Sequence, residues 1–459
     1  MNEHVRAYLK AKGYAINDTA LTIIGQADDW YRIRETEAHT RVTVNGEKKK
    51  LARMGFAKRA AADDANLCEV IEINAGDAAN ETVMDVFSRS SFNTQYRKQL
   101  EETSAEGTTA CYVRLDSADI MTDGTTQGGE IKLNYVSAPG FLPLTVENDD
   151  VIEAAFWGDN YQGTQKQTTL VICTRDPGTK KYKYETVVFE TDGKHDDAVE
   201  VELGEVKPFA VMHTAEVNSI DSMKGYGYPK VYGSIPVFLG LDTAFSVFFG
   251  DLDGAEAITF INELLCGFDD DGKPIPPNEA QKKRFVFLGE KLPQKDTLIQ
   301  TEQPEVRVSS LRDAVEFLLA VMSTKFGFGS RKYKFDGTEI QTAAQYIGER
   351  QDMMQELNRQ RYQAKQYIMG IVRAVVWFSN TYQGTALPEL SDDDIKIEFD
   401  DSYIESKSDR LESYRQDVLS NIGGAHVRAL YLKEKYNLTD EEAEAWAMQG
   451  DDEEPDEGA

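Results

Sequence analysis

Gly327-Phe328-Gly329-Ser330-Arg331-Lys332-Tyr333-Lys334-Phe335-Asp336-Gly337, followed at once by Thr338-Glu339-Ile340-Gln341-Thr342-Ala343, is the stretch on which the fold turns. Its glycines predict a loop, since they tolerate backbone conformations that other residues avoid. Thr338, with Gln341 three residues on, has the pattern of a capping box and marks a helix start. Apolar or small residues then recur at Ile340, Ala343, Ile347, Met354, Leu357, Ala364, Ile368, Ile371 and Val375. That spacing predicts a helix of about 40 residues, roughly 60 Å long, with Gly348 and Gly370 as points where it bends. So long a helix serves either as the core of a monomer or as a strut along neighbouring subunits.

Upstream, Ser310 opens a helix with Leu311, Val315, Leu318, Leu319 and Met322 on one side. Between Val231 and Leu252, Phe238, Leu241, Phe245, Phe248 and Leu252 recur at helical spacing. A polar excursion from Cys266 to Val308 separates the two helices. It carries Pro274, Pro276, Pro277, Pro293 and Pro304 and one clear strand, Arg284 to Leu288. The first half predicts a short helix and then a hairpin through Val42-Thr43-Val44-Asn45-Gly46, returning over Glu47 to Leu51. Helices follow over Met54–Asn66 and Ala79–Glu102. Strands come next at Ala110–Leu115, Ile131–Val136, Ile152–Trp157, Thr168–Cys173 and Tyr182–Glu190. Downstream of the long helix come a strand, Ile395–Phe399, and helices over Lys407–Ser420, Ala425–Tyr436 and Thr439–Met448. The expected class is α+β, mainly helical.

The 459 residues hold 79 acids against 50 lysines and arginines, a formal net charge of -29. Such a chain has no general basic surface for nucleic acid. The charge serves either solubility or repulsion, an acidic wall keeping a polyanion from adhering as it moves past. Cys68, Cys111, Cys173 and Cys266 are far apart, which argues against a zinc site or a disulfide framework and fits a reducing cytoplasm. The first residues are not a signal peptide. Ile235–Phe249, interrupted by Pro236, Gly240 and Asp242, is expected to be too short to span a bilayer, so no membrane partner is expected.

Signatures of catalysis are absent from the sequence. No G-x-x-x-x-G-K-[ST] loop occurs, and Gly225-Tyr226-Gly227-Tyr228-Pro229-Lys230 has a proline where a dinucleotide loop needs its third glycine. The histidines (His4, His39, His195, His213 and His426) are dispersed. Asp269-Asp270-Asp271-Gly272 and Asp392-Asp393-Asp394 lack the acid and glycine positions of a calcium loop. We expect no enzyme activity, no catalytic residue, no cofactor and no metal. Two basic patches stand out. Arg331, Lys332 and Lys334, interleaved with Tyr333, either touch phosphates and bases of passing DNA or form an ordinary loop packed on a neighbour. Lys282, Lys283 and Arg284 are either a docking surface or a plain strand edge.

The order of parts resembles the portal, or head-to-tail connector, proteins of tailed bacteriophages, siphophage type. Three stretches carry the resemblance: Gly233-Ser234-Ile235-Pro236 through Leu241-Asp242-Thr243-Ala244, Phe335 through Glu349, and Phe399-Asp400-Asp401-Ser402 with the helices ending in Leu438-Thr439-Asp440-Glu441-Glu442-Ala443. Ala344-Gln345 departs from the family's usual sequence at the second of these. The resemblance implies a ring of about a dozen subunits at one capsid vertex of the virion, assembled in the host cytoplasm. Its parts would be an α+β wing (1–230), a stem helix (231–265), a clip (266–308), a second stem helix (309–326), a tunnel loop (327–337), a long wing helix (338–380), a C-terminal wing and crown region (381–450) and a disordered acidic tail (451–459). Implied partners are double-stranded DNA in the channel, the terminase large subunit, a head-completion or adaptor protein, and scaffolding and major capsid proteins. The alternative is a minor capsid structural protein without a channel.

Overall fold

In the computed structural model the described residues are 1–42, 46–116, 119–120, 126–127, 129–163, 165–255, 258–262, 267–275, 285–288, 299–302, 305–329, 332–333, 343–400, 407–420, 424–436 and 438–449. The fold is α+β. The helices, in chain order, are α1 (Glu3–Ala11), α2 (Asp18–Tyr31), α3 (Phe56–Ala65), α4 (Asn80–Arg89), α5 (Phe92–Glu106), α6 (Lys230–Gly254), α7 (Val308–Lys325), α8 (Ala343–Tyr382), α9 (Lys407–Leu419), α10 (Gly424–Tyr436) and α11 (Asp440–Gln449).

Asn2 and Asn17 cap α1 and α2 by accepting from the free N–H groups of His4 and Ala20. The helix expected over Ala79–Glu102 is two helices, because Ser91 adopts a left-handed conformation (φ 52°) between α4 and α5. The sequence reading also missed α2 and the strands Val70–Asn74, Phe141–Glu147, Val199–Glu202 and Phe209–His213.

Five antiparallel strands, Phe141–Glu147, Asp150–Gln162, Gln165–Arg175, Tyr182–Phe189 and Val199–Glu202, form a meander. Strand alternation sends Leu170 and Ile172 to one face, where Val5 and Leu9 of α1 cover them. Val171 and Cys173 go to the other face and join the main core. Burial on both faces is why this segment is apolar almost without a break. A second sheet orders Phe209–His213, Thr108–Asp116 and Glu130–Ser137, all antiparallel. The C-terminal half of α8 lies against it, with Tyr367, Ile368, Ile371, Val372 and Val375 fully buried. Tyr367 donates a buried hydrogen bond to Gln99 of α5.

α6 and α7 form an antiparallel pair. Arg307 meets Asp251 at one end (2.7 Å), and Lys325 donates to the Gly233 carbonyl at the other (2.7 Å). Between the helices, Ile258–Asn262 pairs in parallel with Phe285–Leu288 and antiparallel with Ile299–Glu302. α6 corrects one expectation, since it runs unbroken for 25 residues through the exposed Pro236 and by length and composition alone is long enough to cross a membrane. Its two buried charges, Lys230 and Asp242, instead pair with groups of the surrounding protein. At the C-terminus, α10 and α11 pack through Ala429, Ala443 and Ala447. A capping box closes the start of α11: Thr439 N–H donates to Glu442 (3.0 Å), and the Thr439 hydroxyl accepts from Glu442 N–H (3.4 Å).

Candidate functional site: the loop base after the second long helix

The chain leaves α7 through Phe326, Gly327 and Phe328. Phe326 is fully buried, and Gly327 (φ 78°) turns the chain close over Glu356 of α8. Lys332 sits over the ring of Phe328, its ammonium 4.4 Å from the centroid, a cation–π contact. Tyr333 packs edge-on against Phe328 and donates from its hydroxyl to Asp63 of α3 (2.7 Å). Of the residues expected to touch DNA, Lys332 and Tyr333 are therefore brought together at the loop's base, and Tyr333 is committed to the protein. Arg331 and Lys334 lie outside the described residues, as do Lys282, Lys283, Arg284 and the expected cap at Thr338.

Beneath this base lies a buried ionic cluster that sequence reasoning missed. Lys230, at the first position of α6, donates to both carboxylate oxygens of Asp64 (3.1 Å each) and to Glu356 (2.9 Å). Lys230 and Asp64 are 2% and 0% exposed, so neither is solvated. Burial pulls the Lys230 ammonium down, but Asp64 and Glu356 together raise it above the ordinary lysine value. The cluster joins α3, α6 and α8 where the loop base closes over them. Beside it opens a cavity of about 500 Å³ whose walls include Glu216, Tyr228, Lys230, Val321, Thr324 and Lys325. The only signal in the sequence was a lysine opening a long apolar helix.

A second buried set holds mostly acids. Asp28 of α2 and Glu102 and Glu106 of α5 gather around Arg32. Glu106 is fully buried and accepts from Ala138 N–H (3.1 Å). Burial first, then the charges of Glu102 and Asp28, holds its carboxyl well above the ordinary value of 4.5. A folded-state value raised above the unfolded one gives stability that is complete below pH 4.5 and is lost as pH rises through the folded value. Glu106→Gln, which does not titrate, should therefore match wild type in acid and exceed it by about 1 kcal/mol or more at pH 8. Urea unfolding at several pH values measures this; an advantage that does not grow with pH would refute the assignment.

Among the described residues no group of three His, Cys, Asp or Glu is arranged to hold a metal ion. Cys68, Cys111 and Cys173 are free and buried, and burial pushes their thiols up, away from the reactive thiolate. His213 is pushed down to about 4 by burial and is neutral at pH 7.

No protein-family model matches this chain, and no curated protein matches it. Among solved structures, a chain from one described as "Neck of native GTA particle computed with C12 symmetry" is similar at 10% identity and a TM-score of 0.38, over 83% of this chain and 90% of that one. A likeness of that degree carries no functional inference.

Proposed function

We propose that this chain is a portal protein, the repeating subunit of a ring that encloses a DNA channel at one vertex of a phage-type capsid. The observation that carries the reading is the succession of parts after residue 230. An antiparallel helix pair brackets a small sheet, a loop follows, and then a 40-residue helix whose far half is locked into the α+β body. The first half of α6 and the second half of α7 are buried in the same core as the α+β body and the C-terminal half of α8. The far ends of the pair carry the small sheet, as a stem and clip.

Large apolar side chains left in solvent on that pair support assembly: Phe249 and Leu252 on α6, Val308 and Phe317 on α7. The function is mechanical: DNA passes through on packaging and ejection and is retained between. The chain has no phosphate loop, so the energy comes from a separate terminase motor that docks on the ring, as do head-completion and capsid proteins. The net charge of -29 makes a wall of low adhesion. Arg331, Lys332 and Lys334 give weak, moving phosphate contacts, and Tyr333, bonded to Asp63, fixes the loop's base. Replacing Arg331, Lys332 and Lys334 by Ala should leave rings intact and reduce DNA retention severalfold in a packaging assay. Wild-type retention in the triple variant would remove the loop's role.

A further inference from the structure

In a chain so acidic, one described surface carries a run of three lysines, Lys48 to Lys50, of which Lys50 pairs with Glu35 (2.8 Å). Strands Thr40–Val42 and Lys48–Lys50 pair as a hairpin, with Arg41 opposite Lys49 and Val42 opposite Lys48. Lys48 and Lys49 are exposed and carry no ion pair among the described residues, and Val42, which shares a face with Lys48, is 68% exposed. The hairpin is clamped to α6. Arg41 donates to the Thr243 hydroxyl (3.0 Å), Ala52 N–H to Ser246 (2.7 Å) and Met54 N–H to the buried Asp242 (2.9 Å), which also holds His39 (3.2 Å). These bonds set a positive surface at the level of residues 242–246 of α6.

The opposite charge stands at the same level. The contacts of Arg307 with Asp251, Leu318 with Gly240 and Lys325 with Gly233 share one register, which puts Asp313 of α7 beside Phe245. Val315, Leu319 and Met322 are the buried face of α7, so Asp313 and Phe317, four residues apart, share the outward one. Asp313 and Glu305 are exposed without an ion pair among the described residues, and Phe317 is 68% exposed. On α6 the hairpin's attachment points lie about a third of a turn from those of α7. One subunit thus presents a basic flank and, level with it, the acidic, apolar flank of Asp313 and Phe317, with Glu305 about two turns further along.

We infer that these flanks are the two halves of one head-to-tail contact, the hairpin of one copy seating against the outward face of α7 in the next. The inference rests on the ring reading and names its interface. A heterologous contact of this kind generates a ring when its rotation closes. Charge pairing fixes register and rejects wrong partners, while covering Phe317 and Val42 supplies burial.

The test uses the full-length chain, with assembly followed by mass photometry over a concentration series. Lys48→Glu with Lys49→Glu, and separately Phe317→Asp, should raise the concentration at half-assembly by about tenfold or more. Adding Asp313→Lys and Glu305→Lys to the double lysine variant should restore assembly, which a misfolded subunit would not do. Undiminished rings in both variants would overturn this interface and leave the ring reading standing. Intact rings of the lysine variant with weakened DNA retention would also overturn it, by making the hairpin a DNA contact. Wild-type chain that never assembles would overturn the ring reading itself.

Discussion

Gly107→Ala is expected to be the most damaging small substitution in the molecule. Gly107 ends α5 at φ 88°, a conformation that costs an alanine about 1 kcal/mol or more. Its Cβ would also overlap the Gly227 carbonyl, lying 2.8 Å from the carbonyl carbon and 2.9 Å from Pro229 N. Those are backbone atoms with nowhere to move. Thr214 N–H bonds to the Gly107 carbonyl (3.1 Å), and Gly227 N–H bonds to the Thr108 hydroxyl (2.8 Å). The crossing is therefore fixed from both sides, immediately before Lys230 opens α6. Strain and overlap together should cost about 3–5 kcal/mol, a large part of the stability of an ordinary domain. Gly227→Ala should behave alike through overlap alone. Gly158→Ala, in an open strand position with nothing within 4 Å, is the control and should change stability by less than about 1 kcal/mol. Denaturant unfolding of the three variants decides it, and a Gly107→Ala protein as stable as the control would contradict the crossing.

The second large effect is expected at Lys230. Lys230→Met keeps the apolar bulk of the side chain and removes the charge, leaving Asp64 buried and unpaired and Glu356 with only the looser contact to Arg359 (4.0 Å). Breaking a buried pair from one side costs about 3–5 kcal/mol, most of it the desolvated charge left behind. Adding Asp64→Asn and Glu356→Gln should recover much of the loss, because no unpaired charge remains. A Lys230→Met protein as stable as wild type, or no recovery in the triple variant, would show that the cluster does not hold α3, α6 and α8 together as described.

Much of the fold was legible from periodicity. The 3/4 spacing of Phe238, Leu241 and Phe245 and of Val315, Leu318 and Met322 marked α6 and α7, and short apolar runs bounded by Gly, Asp and Asn turns marked the central strands. What was not legible depends on tertiary partners. The split between α4 and α5 turns on one left-handed serine, which no apolar pattern announces. Val70–Asn74 leaves two consecutive residues, Ile71 and Glu72, exposed, and its partner, Lys396–Phe399, lies more than 300 residues away in the chain. The reading of Pro236 as an interruption failed because α6 runs unbroken through it, with the proline exposed to solvent.

The candidate site was legible only in outline. Tyr333 stood out beside its basic neighbours, but its bond to Asp63, 270 residues earlier, has no local signature. Lys230 looked like part of a glycine-rich turn because its carboxylate partners come from two other helices. The basic run at Lys48–Lys50 looked like the return strand of a hairpin; its significance lies in where Asp242, Thr243 and Ser246 clamp that hairpin on α6.

The central claim is the ring. Negative-stain electron microscopy of the purified full-length chain tests it most directly. Rotationally symmetric particles with a central hole wide enough for a DNA duplex are the predicted result; a monodisperse monomer, or closed assemblies with no axial opening, at concentrations where a portal assembles would contradict it.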